Sequence, residues 1–264
     1  MKNLFDFAEA FFCQANVDEK LALTHQAWQT YIAKELTFTS GRPVLPIDRV
    51  IFPARPELLA PRQMPRRKLT TTAGVAAFFH AIAHVEFVAI YLAWDILYRF
   101  RGMPDQFYQD WLRVADEEAQ HFELIRMHLR AIEIEYGDLP AHSGLWDHAK
   151  DTADDLLGRL AMVPRCMEAR GLDVTPALIE KFRILGDDAS VAILTRILTD
   201  EVRHVERGSY WFKFVCQQRG FEAEAKYCEL IDQYYIGGKP KGPFNRELRK
   251  IAGFSDAEID WLES

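Results

Sequence analysis

The chain has 264 residues, with 32 Lys and Arg against 39 Asp and Glu, for a formal net charge of −7. Hydrophobic residues make up 49% and charged ones 27%, ordinary globular usage that excludes wholesale disorder. The modest Gly (14) and Pro (12) content excludes collagen-like and low-complexity classes, and the acidic balance excludes a basic coat for generic nucleic-acid binding.

Four scattered cysteines, Cys13, Cys166, Cys216 and Cys228, supply neither a disulfide framework nor a zinc ribbon. At the N-terminus, Asp6 and Glu9 interrupt what would be the apolar stretch of a signal peptide. A cytoplasmic protein with no membrane partner is the expectation.

Two helices are expected first, at residues 4–14 and 17–36. Residues 42–68 then hold six prolines (43, 46, 53, 56, 61 and 65), so no helix continues there and an extended wrap is expected. The same segment carries Arg42, Arg49, Arg55, Arg62, Arg66, Arg67 and Lys68 against only Asp48 and Glu57.

From Leu69 to Trp94 the chain runs 26 residues with one formally charged side chain, Glu86, together with His80 and His84. Length alone permits a membrane span, but a carboxylate near its middle is costly in lipid. A long helix buried in a protein core fits better, and it makes Glu86 conspicuous, because an unpaired buried carboxylate is strongly disfavoured.

Four long helical stretches are expected: 72–101, 104–136, 144–170 with a kink at Pro164, and 187–219, with a short helix from Thr175-Pro176 to Leu185 between the last two. Smaller helices follow near 221–235, 244–252 and 256–263, the last opening on the capping-box pattern Ser255-Asp256-Ala257-Glu258. The expected fold class is all-α: a ferritin-like antiparallel four-helix bundle with extra N- and C-terminal helices and a proline-rich wrapping segment. The expected division is 1–70 for the N-terminal helices and wrap, 71–220 for the bundle and 221–264 for a C-terminal extension, all forming one unit.

Two segments align at an offset of 83 residues: Asp116-Glu117-Glu118-Ala119-Gln120-His121-Phe122-Glu123 and Thr199-Asp200-Glu201-Val202-Arg203-His204-Val205-Glu206. Each contains Glu-x-x-His, which places a carboxylate and an imidazole one helical turn apart on one face. One such pair is weak evidence of a site. The upstream residues are more telling, because Glu86 stands 32 residues before Glu118 and Glu168 stands 33 before Glu201. The chain therefore reads as a quasi-repeat of two hairpins, each a helix with one Glu followed by a helix with Glu-x-x-His. Glu86, Glu118, His121, Glu168, Glu201 and His204 form the ligand pattern of di-iron and di-manganese bundle proteins. Mixed carboxylate and imidazole ligation suits iron or manganese better than thiolate-preferring metals.

Other residues remain open alternatives. His84 lies about 200° around the helix from Glu86, so His80 and His84 are expected to pack or hydrogen-bond rather than join the metal face. His128 reads as a core histidine or the lining of a path to the metals. Glu117 and Asp200 read as surface acids or as orienting groups for the ligand histidines. Tyr91, Tyr98 and Tyr210 read as core packing or as redox-active neighbours. Glu168, beside Arg165 and Arg170, is the ligand most open to an ordinary salt-bridge reading.

The strings Phe52-Pro53-Ala54-Arg55-Pro56-Glu57-Leu58, His80-Ala81-Ile82-Ala83-His84-Val85-Glu86, Asp110-Trp111-Leu112-Arg113-Val114-Ala115-Asp116-Glu117-Glu118 and Glu168-Ala169-Arg170-Gly171-Leu172-Asp173-Val174-Thr175-Pro176 resemble a bacterial ferritin-like family of unknown function, domain of unknown function family 455. The similarity covers about residues 5–220. Such proteins look like distant relatives of a di-iron monooxygenase family that hydroxylates a modified tRNA base. The resemblance implies a ferritin-like bundle and a metal-ligand role for the same six residues, and it supplies no substrate.

The leading functional expectation is an oxygen-activating oxidase or hydroxylase with two iron ions, acting on a small-molecule or modified-nucleotide substrate with an electron-donor protein. The alternatives are a ferroxidase or iron-handling protein, peroxide dismutation by manganese or a mixed manganese and iron pair, and a helical interaction module with a vestigial site. The basic wrap, with Lys239, Lys241, Arg246, Arg249 and Lys250 near the tail, keeps tRNA among the partners to be weighed, and a dimer among the oligomeric states.

Overall fold

In a computed structural model, described for residues 1–39, 41–60, 63–64, 68–142 and 144–264, the protein is an all-α helical bundle. It divides into two compact units, Met1–Asp147 and His148–Ser264. Pro61, Arg62, Pro65, Arg66 and Arg67 of the proline-rich segment lie outside the described residues.

The first unit opens with two helices, α1 (Leu4–Cys13) and α2 (Val17–Ile32), whose first N–H groups are capped by the side chains of Asn3 and Asn16. Helix α2 stops earlier than expected because Lys34 turns into the left-handed region (φ 59°) and leads into a two-residue strand, β2 (Leu36–Thr37). This pairs in parallel with β1 (Lys2–Asn3).

The long apolar stretch forms α3 (Thr72–Arg99), and Asp105–Ala131 forms α4. A five-residue connection makes the two an antiparallel hairpin. Among the described residues, α3 is the helix long and apolar enough to cross a membrane, and 67% of that apolar window is buried inside the protein. It is a core helix. The aromatic rings of α1 cover it, with Phe11 4.8 Å from Tyr91 and Phe12 5.5 Å from Tyr98, centroid to centroid. Helix α4 ends five residues short of the expected Tyr136, where Glu133 turns left-handed (φ 60°) and the Ile134 N–H closes back on the Leu129 carbonyl.

The described part of the wrap is largely extended, with a 3-10 turn at Ile47–Arg49 and a further i to i−3 bond from the Gln63 N–H to the Ala60 carbonyl. Its backbone is tied down at several points. The Ile51 N–H donates to the Phe12 carbonyl (2.8 Å), Tyr91 donates to the Ile51 carbonyl (3.0 Å), and the Leu45 N–H donates to the Tyr98 hydroxyl (3.0 Å). Phe52 stacks on Tyr91 with centroids 4.1 Å apart. Tyr91 and Tyr98 therefore serve as anchors for the wrap.

In the second unit the expected helix 144–170 proves discontinuous. A short α5 (Gly144–Asp151), within which the division of the chain falls, gives way to a turn, and Asp155 caps a new helix, α6 (Leu156–Met162). Pro164 then sits in a π-helical segment, Val163–Glu168, instead of a simple kink. Helix α7 (Ala169–Ile184) runs through both Gly171 and Pro176, where a stop and a restart are expected from the sequence. Burial of Leu172, Ile179 and Phe182 along one face overrides those local signals.

Helix α8 (Asp188–Arg219) follows and ends at Gly220, whose φ of 71° closes the last turn. The tail forms α9 (Ala223–Tyr234), α10 (Arg246–Ile251) and α11 (Asp256–Glu263). Two buried ion pairs lock it in place. Arg165 makes two 2.8 Å bonds to Glu258, and Arg249 bonds both oxygens of Asp173 at 2.9 and 2.8 Å. All four residues are at most 8% exposed, and both guanidinium groups lie against the ring of Phe254.

Removing one partner of such a pair strands a buried charge, a loss of about 3–5 kcal/mol. Glu258→Ala is therefore expected to lower unfolding stability by about that amount in chemical denaturation. A loss below about 1 kcal/mol would show that the tail is held by packing alone.

Candidate metal centre

In the first unit, α3 supplies Glu86 and α4 supplies Glu118 and His121. One ligand atom of each lies within 4.8 Å of the others. The His121 Nδ1 atom faces both carboxylates, 3.2 Å from a Glu86 oxygen and 3.4 Å from a Glu118 oxygen. Burial is nearly complete, with relative exposures of 5%, 0% and 1% for the three residues. Two carboxylates crowded together out of water repel each other, and a buried charge needs a partner. A divalent cation between oxygen and imidazole donors answers both demands. This buried Glu/His cluster could hold a metal ion.

In the second unit, α8 carries Glu201 and His204, both buried, with Glu201 Oε1 3.4 Å from His204 Nδ1. Glu168 ends the π-helical segment, and one of its carboxylate oxygens is buried. The arginines beside it are committed elsewhere, Arg165 to Glu258, and Arg170 to Asp173 and the Pro243 carbonyl.

The quasi-repeat extends beyond the ligands. Arg113 bonds Glu117 one turn on (3.0 Å), and at the same 83-residue offset Arg196 bonds Asp200 (2.6 Å). Both acids are buried, and each is held by an arginine one turn earlier on its own helix. The third acid, Asp116, is 2.6 Å from His25 Nδ1 on α2 and accepts from Gln120 at 2.8 Å. The Asp116 hydrogen bond is the largest influence on His25, whose pKa is raised above the usual imidazole value. His25 escaped the sequence reading because its partner is 91 residues away.

His80 and His84 have structural duties. His80 Nε2 accepts the Gly137 N–H at 2.9 Å, and His84 Nδ1 shares a 2.9 Å hydrogen bond with the Tyr136 hydroxyl. Together they pin the segment after α4 onto α3. His128 packs edge-on against Phe79 (4.6 Å), and Tyr210 is 52% exposed. Of the tail cations, Lys239 bonds the Trp261 carbonyl, Arg246 pairs with Asp256, Asp260 and Glu263, Arg249 with Asp173, and Lys250 with Asp256. Arg246 and Lys250 are thus paired within the tail, and Arg249 with an acid of α7.

Fold and site together define an all-α helical-bundle protein with a buried carboxylate and imidazole cluster able to hold a metal ion. The family described as "Protein of unknown function (DUF455)" matches residues 13–260, and the chain belongs to that family. An uncharacterized protein of Haemophilus influenzae (strain ATCC 51907 / DSM 11121 / KW20 / Rd) is 42% identical over 258 residues, covering 94% of this chain and 89% of that protein. No solved structure matches the chain.

Burial lowers the pKa of His84 from 6.5 to about 4. As pH falls below 6.5 the unfolded chain takes up this proton before the folded one, so stability drops until the folded group titrates near pH 4. Between pH 6.5 and 5 the expected loss is roughly 2 kcal/mol. His84→Gln, compared with the wild type by urea denaturation of metal-free protein, should lose that much less over this interval. Parallel stability profiles would contradict the assignment.

Proposed function

We propose that the protein is a di-iron oxidoreductase, an oxygen-activating oxidase or hydroxylase acting on an organic substrate. Glu86, Glu118 and His121 of the first unit, with Glu168, Glu201 and His204 of the second, would hold the two ions. The observation that carries the reading is the cluster of Glu86, Glu118 and His121, three ionisable side chains at most 5% exposed with His121 Nδ1 facing both carboxylates. The equivalent Glu-x-x-His pair on α8, with its matching Arg196–Asp200 brace, supports a second half-site of the same design.

When bound, a pair of iron ions supplies the redox change needed to activate dioxygen, with open coordination positions left by six protein ligands. The chain's own contribution is binding, orientation and dryness. Glu-x-x-His on one helical turn fixes a carboxylate and an imidazole with no loop between them. Phe87 and Phe122, neighbours in sequence to Glu86 and His121, are at most 1% exposed and stand 5.1 Å apart, so α3 and α4 pack through apolar rings. Burial of Glu118 and His121 keeps water from competing for the donors.

Protein purified without chelators is expected to carry about two iron ions per chain, the count this reading assigns to six ligands in the bundle pattern. Glu118→Ala combined with His204→Ala should remove most of that metal while circular dichroism keeps its helical signal. Fewer than one transition-metal ion per wild-type chain, or a content unchanged in the double variant, would defeat the reading. Manganese in place of iron would redirect it to peroxide dismutation, tested by oxygen evolution.

A further inference from the structure

The π-helical segment has a specific architecture. Pro164 has no N–H to offer the Leu160 carbonyl, and its ring cannot share space with that carbonyl in a regular α-helix. The chain answers with a wider turn, in which the Ala169 N–H donates to the Pro164 carbonyl five residues back. One extra residue in the turn rotates everything after it by about 100° relative to an unbroken α-helix. Glu168 is the last residue of that segment, so its direction depends on the insertion.

Opposite Pro164 stands Gly208 of α8. A Cβ on Gly208 would lie 2.4 Å from Pro164 Cβ and 2.6 Å from Pro164 Cγ, distances that packing does not allow. The proline ring occupies the space of the missing side chain. Gly208 also lies one turn beyond His204 and two turns beyond Glu201 on α8. The contact therefore falls on the stretch of α8 that carries the second Glu-x-x-His pair. Nothing comparable surrounds Gly171 on α7, whose Cβ would meet no atom within 4 Å.

We infer that Pro164 and Gly208 are positioning residues: their ring-to-backbone contact holds the π-turn in register against α8 and so sets Glu168 for metal binding with Glu201 and His204. The inference rests on the di-metal reading above and adds to it the device that aims its sixth ligand. Gly208→Ala pushes the π-turn away from α8. Pro164→Ala leaves the space open but restores the N–H, releasing the segment toward ordinary α-helix and turning Glu168 aside.

The test uses the full chain loaded with Mn(II), read by metal stoichiometry after desalting and by electron paramagnetic resonance. The wild type and the Gly171→Ala control are expected to bind two ions with the broadened spectrum of an exchange-coupled pair. Gly208→Ala and Pro164→Ala are expected to fall from two ions to one, with the resolved hyperfine pattern of isolated Mn(II) and the helical content retained. A merely structural role would lower thermal stability without changing the stoichiometry or the spectrum of folded protein. Should Gly208→Ala not fold, Pro164→Ala, which removes atoms and adds none at the contact, decides alone. Two coupled ions in a folded variant would overturn the inference, whereas fewer than one ion in the wild type would instead overturn the di-metal reading beneath it.

Discussion

The structure depends on how it accommodates carboxylates removed from water. Leaving a charge buried without compensation costs several kcal/mol, so each buried acid needs an answer. Asp173 and Glu258 are answered by Arg249 and Arg165, and Glu117 and Asp200 by Arg113 and Arg196. Asp95 is bound by Arg99 one turn later. Glu86 and Glu118 are different, because the group set between them is an imidazole 3.2 and 3.4 Å away. An imidazole, carrying at most one positive charge, does not offset two negative charges, and a divalent cation does.

The net charge of −7 bears on the same question. Several basic side chains are paired with acids of the chain itself: Arg42 with Asp6 and Glu9, Arg246 with three acids of α11, and the buried Arg165 and Arg249 with Glu258 and Asp173. If the four proposed glutamate ligands face two divalent ions, the loaded protein falls to about −3 by the same formal count. On that account the acid surplus is in large part the metal site.

Much of this was legible in the sequence. Glu86 stood out because it lies in a stretch otherwise free of formal charge, and the offset of 83 residues displayed the second Glu-x-x-His pair. Helices α8 and α11 fall within a residue of their expected limits, since Asp187, Gly220 and the Ser255–Glu258 capping box are strong local signals. Local signals failed where tertiary burial outweighed them. Gly171 and Pro176 suggest a stop and restart, yet the buried face through Leu172, Ile179 and Phe182 carries α7 past both. Pro164 announced an irregularity, but a kink and a π-turn look alike in sequence, and the deciding neighbour, Gly208, is 44 residues away. The partners of His25, Tyr136 and Arg165 were invisible for the same reason, because contacts across 91, 52 and 93 residues leave no periodic trace.

The central claim is that six side chains from two hairpins hold a pair of metal ions. Anomalous diffraction from crystals of protein purified without chelators, collected on either side of the iron and manganese edges, tests it most directly. The account predicts two peaks per chain, ligated by Glu86, Glu118, His121, Glu168, Glu201 and His204. A single peak on surface residues, or none at any of these six side chains, would contradict it.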